Sequence, residues 1–158
     1  MRAAGVIEDY ALFGAIAQMR YTEAVATLDV DVLVVVPAPE RLDVLEGIYR
    51  FCADLGYRSE GESIVVGVWP TQFVPVFSPL TQAALEDAET DDFEGLPVRV
   101  VRADYLATIA LSVGRSKDFL RILALLESDS VTPEQIGHLA ANYDLEKEWR
   151  AFEARFLE

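Results

Sequence analysis

The sequence predicts an α/β chain of the α+β kind: a small mixed sheet flanked by helices, with a C-terminal helical extension. Three observations carry this. Val32 to Val36, within a strand expected over 30–36, is a short apolar run rich in β-branched residues, which fits a buried strand better than a helix. Leu42, Leu45, Ile48, Phe51, Cys52 and Leu55 recur at helical spacing. Downstream, Phe119, Leu120, Leu123 and Leu126 form a second stripe, and Thr132-Pro133-Glu134-Gln135 has the residues of a helix start, with Thr as N-cap, Pro at N1 and Gln at N3. Strand and helix signals alternate without segregating into two halves, so mixed layers around one core are expected.

In chain order, Tyr10-Ala11-Leu12-Phe13-Gly14-Ala15-Ile16-Ala17-Gln18-Met19 is small and apolar, and predicts a helix over 8–20. Strand 30–36 is stopped by Pro37-Ala38-Pro39, and Pro39 opens a helix over 39–55 that Gly56 ends. Ser63 to Trp69 and Gln72 to Phe77 are β-rich runs separated by Pro70-Thr71, which suggests an antiparallel hairpin. Pro75 marks the second run as an edge or irregular strand. Ser78-Pro79-Leu80 starts a short helix, and Glu86 to Glu94 reads as a solvated acidic loop. Leu96–Val101 is the last strand. Helices are expected over 104–113, with Asp104 as cap, then over 117–127, from Thr132, and over 144–157. The expected organisation is one domain over residues 1–127 and a helical extension over 128–158, acting as a cap or an interface.

The chemistry centres on Thr27-Leu28-Asp29-Val30-Asp31. Side chains two apart on a strand share a face, so Asp29 and Asp31 point the same way. Two carboxylates this close repel, and burying them is costly without a cation between them. A divalent metal is the natural partner, and Mg²⁺ favours one or two carboxylates plus substrate phosphate. Gly14 and Ala15 are small enough for close approach of backbone or phosphate. Arg115-Ser116-Lys117-Asp118 offers cations suited to phosphate.

In this order, Phe13-Gly14-Ala15-Ile16-Ala17, Thr27-Leu28-Asp29-Val30-Asp31 and Arg115-Ser116-Lys117-Asp118 resemble the nucleotidyltransferase superfamily, the polymerase-beta-like fold. The pattern is similar to the small bacterial branch that includes AbiEii-type toxins, and it covers about residues 8–126 of the chain. The resemblance implies a metal held by Asp29 and Asp31, which also act as the catalytic carboxylates. It implies a nucleoside triphosphate held by Gly14, Ala15, Thr27, Arg115 and Lys117. It also implies a third carboxylate on a later strand of the same sheet. Between Ser63 and Leu85 there is no Asp or Glu, Ala15 has no hydroxyl, and the family's helical Lys aligns with Ala110. The site is therefore degenerate relative to the family.

Composition narrows the partners. The formal net charge is −14, from 27 acids and 13 bases, a field that repels polyanions and argues against non-specific nucleic acid. No apolar stretch is long enough to span a membrane, and Glu8 and Asp9 make the N-terminus too acidic for a secretory signal, so a cytoplasmic protein is expected. A single cysteine, Cys52, allows no internal disulfide and no zinc cluster, and reads as a small buried hydrophobe. His138 reads as a surface or structural residue. Arg20 is expected to pair with Asp29 or to hold a phosphate. Trp69 and Trp149 are expected in the core or at an interface, with base stacking open to Trp69. Leu126, Leu139, Trp149, Phe152 and Phe156 look like more apolar surface than one small core covers, which makes a homo-oligomer plausible.

Two functions follow. One is a Mg²⁺-dependent enzyme that moves a nucleotidyl group from a nucleoside triphosphate to a hydroxyl acceptor. The other is a catalytically inactive protein of the same fold that senses a nucleotide or binds a protein partner, with a toxin–antitoxin role as one setting.

Overall fold

The computed structural model describes residues 1–23, 27–37 and 43–157. The expected stop at Pro37-Ala38-Pro39, the helix start at Pro39 and the first stripe residue Leu42 fall wholly or partly outside them.

Seven strands form one mixed sheet among these residues, in the order β3-β4-β5-β2-β1-β7-β6. The first element corrects the expected helix over 8–20. Asp9–Phe13 is β1, and only Gly14–Gln18 is helical (α1). Gly14 divides them, because it takes a left-handed φ of 64° that the preceding residues cannot share. Val30–Val35 is β2, antiparallel to β1 and buried on both faces. Glu46–Asp54 is α2, and Gly56 follows with φ of 84°.

Arg58–Glu60 (β3), Ser63–Val66 (β4) and Trp69–Pro75 (β5) form consecutive hairpins. The predicted hairpin exists, but its turn lies at Gly67-Val68, where Gly67 supplies a positive φ, and not at Pro70-Thr71. β5 is not an edge either, since β4 flanks one side and β2 runs parallel on the other. Pro75 is tolerated as the last strand residue, beyond the reach of β4, whose pairing stops at Thr71.

Ser78 caps Pro79–Glu86 (α3) through a reciprocal bond set with Thr81. The expected acidic loop is instead an edge strand, Glu89–Phe93 (β6), paired with Leu96–Val100 (β7). Glu94 and Gly95 both have positive φ, as a two-residue hairpin turn requires. A charged edge of this kind resists pairing with other chains. Ala103–Val113 (α4) is capped by Arg102 without a side-chain bond, so Asp104 is not the cap but a first-turn acid held by Arg102. Ser116–Glu127 (α5), Pro133–Asn142 (α6) and Glu146–Phe156 (α7) complete the chain, with the predicted Thr132/Gln135 capping box in place. On α5 the buried apolar positions are Ile122 and Leu125, while Leu120, assigned to the inner stripe by its spacing, is 66% exposed.

Strand alternation sorts the core in two. Ala11 and Leu33 face α3 and α4, whereas Val32 and Val34 face Ile48 and Cys52 of α2. α4 is buried on nearly all sides and packs against α3, α5, α6 and α7. Leu139, Trp149 and Phe152 are buried in the same core as α4, and Leu126 and Phe156 pack onto it. The apolar surplus that suggested an oligomer is thus covered within the chain. Cys52 is buried, as expected, and no described helix is long and apolar enough to cross a membrane.

Candidate active site

The sheet face carrying Asp31 opens into a cleft of about 750 Å³ between the C-terminal end of β1, the N-terminal end of β2, the adjoining part of β5 and the helix α5. Ala15, Thr27, Asp29, Asp31, Arg115 and Lys117, all singled out from the sequence, line it together. Gly14 sits behind this wall. A Cβ there would collide with Oδ2 of Asp31 and lie 3.0 Å from its Cγ, so only glycine leaves the carboxylate its place.

Thr27 has a local task. Its hydroxyl donates to the Asp29 carbonyl at 2.9 Å and lies 3.2 Å from Asp29 Oδ1, fixing the bend that leads into β2. Asp31 is half-buried and its carboxyl is pushed above the usual range, first by burial and then by the charge of Asp29. Arg121, Lys117 and Arg115 across the cleft oppose that rise. One wall is therefore anionic and the other cationic.

The cationic wall is built by Asp118, which is 1% exposed. Its Oδ2 accepts from the Arg115 backbone N–H at 3.2 Å and from Arg115 Nε at 2.8 Å. Its Oδ1 lies 3.8 Å from Arg121 Nη1. Arg121 Nε donates to Gln18 Oε1 at 3.1 Å, and Gln18 is itself buried at the end of α1. Sequence reasoning missed Arg121 and Gln18. The available signal was spacing, because Arg121 is one helical turn beyond Lys117 on α5.

The β5 neighbour of Asp31 is Gln72. It stands on β5 in register with Asp31 of the parallel neighbour β2, and it lines the cleft. At that position β5 presents an amide to the cleft. Among the described residues no group of three or more His, Cys, Asp or Glu could hold a metal. Two carboxylates, Asp29 and Asp31, line the cleft and are the residues there that could hold a divalent cation.

Other expectations resolve away from the cleft. Arg20, just past the end of α1, pairs with Glu89 at 3.0 Å and Asp91 at 2.9 Å on β6, not with Asp29, and lies with Val30 on the opposite face of the sheet. Ala110 is buried in α4 and does not line the cleft. His138 is exposed on α6 and Trp149 is in the core. Trp69, at 49% exposure, stands at the β4–β5 turn.

Comparison with solved structures identifies the architecture. The crystal structure of an antigenic nucleotidyltransferase-like protein from Paracoccidioides brasiliensis matches 95% of this chain and 89% of its own, with TM-score 0.51 and 14% identity. The chain has a nucleotidyltransferase-like fold. Two structures of ANT(2'')-Ia align at lower similarity. The crystal structure in complex with adenylyl-2''-tobramycin has TM-score 0.47 and 15% identity, covering 94% of this chain and 88% of that one. The solution structure of the antibiotic-resistance factor has TM-score 0.49 and 17% identity, covering 93% and 86%. No protein-family model and no curated protein sequence matches the chain. At these identities the likeness concerns the nucleotidyltransferase-like fold alone.

Proposed function

We propose that the cleft binds a nucleoside triphosphate together with Mg²⁺, and that it serves nucleotidyl transfer to a hydroxyl acceptor. The observation that carries this reading is the opposition of Asp29 and Asp31 to Arg115, Lys117 and Arg121 across one cleft. A polyphosphate with a divalent cation is itself bipolar, and such an arrangement satisfies both of its ends. Asp29 and Asp31 would hold the metal, with the Gln72 side-chain oxygen as a neutral neighbour. The metal would supply charge neutralisation at the phosphates and alignment of the attacking oxygen. Arg121 and Arg115, already oriented by Asp118, would grip phosphate oxygens at little ordering cost, and Lys117 would add a mobile charge. Gly14 keeps Asp31 aimed into the cleft. The order of the motifs supports placing the chain near the AbiEii-type branch.

Gln72 bears on the transfer step, since an amide cannot accept the acceptor's proton. That favours, as a second reading, a domain that binds the nucleotide as a signal. Calorimetric titration with each nucleoside triphosphate, with and without Mg²⁺, tests the binding. Metal-dependent heat that disappears in Asp29→Asn/Asp31→Asn is the expected result, and unchanged affinity in that variant would refute it. Turnover of labelled triphosphate that depends on the same two residues separates the enzyme from the sensor.

A further inference from the structure

A second recess lies on the other face of the sheet and shares no lining residue with the cleft. It measures about 570 Å³, within the range of small-molecule sites. Its construction follows from strand alternation. Val30 of β2 points away from Asp31, and Leu12 of β1, Val98 and Val100 of β7 share its side. These form an apolar floor that is mostly half-buried, because α2 covers only the neighbouring part of this face. Ile16 and Met19 close one end. Trp69, in phase with Val30 through the β2–β5 register, rises at one side. Phe93, 67% exposed, rises at the other from the edge strand β6.

The walls are charged with one prevailing sign. Glu89, Asp91 and Phe93 alternate onto the same side of β6. Asp91 and Asp92 line the recess, and Arg20 is the cation there, already engaged by Glu89 and Asp91. The local balance is negative, as is that of the whole chain at −14. An apolar floor, a half-exposed tryptophan and surplus carboxylates favour one ligand chemistry. Burial of rings removes apolar surface from water, and an indole face attracts a cation. Backbones of β5 and β6 are four strand spacings apart, about 19 Å, and aromatics at both sides with α1 at the end bound a compact guest more readily than an extended chain.

We propose that this recess is a binding site for a small organic cation with an apolar ring body, seated between Trp69 and Phe93 with its ammonium toward Asp91. The site stands independently of nucleotide binding in the cleft. The test uses a matched pair of probes, 2-(1-naphthyl)ethylammonium and 1-naphthylacetate, titrated into the full chain by calorimetry and tryptophan fluorescence. The expected result is one-to-one binding of the ammonium with a change in Trp69 emission, and much weaker binding of the carboxylate. Trp69→Ala and Phe93→Ala should each weaken the ammonium about tenfold, and Asp91→Asn about threefold, with Mg²⁺–nucleotide affinity unchanged. Phe93 is well exposed, so its variant reports even where Trp69→Ala fails to fold. Equal binding of both probes, no saturable binding, or affinity that survives both aromatic variants would overturn the proposal. Binding of a basic aromatic peptide without binding of the ammonium would also overturn it, and would give this face to a protein partner.

Discussion

Gly14 and Asp31 form a coupled pair on which the site depends. Gly14→Ala adds a methyl group where Oδ2 of Asp31 lies and forces an L residue to a φ of 64°. The expected outcome is a loss of about 1–2 kcal/mol in denaturant-measured stability, together with loss of metal-dependent nucleotide heat. Asp31→Asn should behave oppositely in stability. The folded carboxyl titrates above its ordinary value, so the native state binds more protons than the unfolded one within that interval. Stability therefore falls as pH rises from the ordinary carboxylate range through the raised value. The asparagine variant lacks that fall and gains about 0.5 kcal/mol at neutral pH, a small figure because solvent reaches the cleft. Thermal melts from pH 3.5 to 7.5 check both the sign and the flattening. Added Mg²⁺ should raise the melting temperature of the parent chain and leave the variant unmoved. At this scale the sequence was legible in part. The carboxylates and the Arg115–Asp118 turn carry a chemistry that spacing reveals, whereas Gln18 and Arg121 meet across 103 positions of chain, and no local pattern encodes such a meeting.

At the level of elements, Arg99 on β7 is the tie between sheet and helix. It pairs with Asp9 on β1 and donates to the carbonyls of Leu85 at 2.8 Å and Ala88 at 3.3 Å, satisfying the end of α3. Arg99→Met should cost about 2 kcal/mol in chemical denaturation, since it takes the Arg99 partner from a half-buried carboxylate and one donor from those carbonyls. Burial works to raise the Asp9 carboxyl, but the Arg99 bond, the Tyr10 backbone N–H and the charges of Arg99 and Arg2 together outweigh it and hold it low. The pair's contribution is thus complete above the ordinary carboxylate value and is lost as pH falls through the lowered one, and the methionine variant should lack this acid limb. Elements with an unbroken β-branched run or a capped start, such as β2, α3 and α6, could be read from residues alone. β1 could not, because Tyr10 to Phe13 is apolar on both phases and only Gly14 marks the change of period. β6 could not, because an edge strand needs no apolar face, so Glu89 to Phe93 has the composition of a loop. The two-residue turn at Glu94-Gly95 was the hint.

The whole molecule carries a net charge of −14 on 158 residues, and self-repulsion opposes its compact state. Raising NaCl from about 20 to 200 mM, which shortens the screening length from roughly 20 to 7 Å, should raise the melting temperature. A fall in melting temperature would show instead that attractive pairs such as Arg20 with Glu89 and Asp91 dominate. The sheet divides the molecule into a polar cleft on one face and an apolar recess on the other, with α1 and β2 common to both. β2 supplies Asp31 to the first and Val30 to the second from adjacent positions. Removing one residue within β2 would exchange their contents, driving a carboxylate into the greasy side and a valine among the cations. Changes in the length of this strand are therefore tolerable only in steps of two, and the two faces are bound to drift, or to be preserved, together.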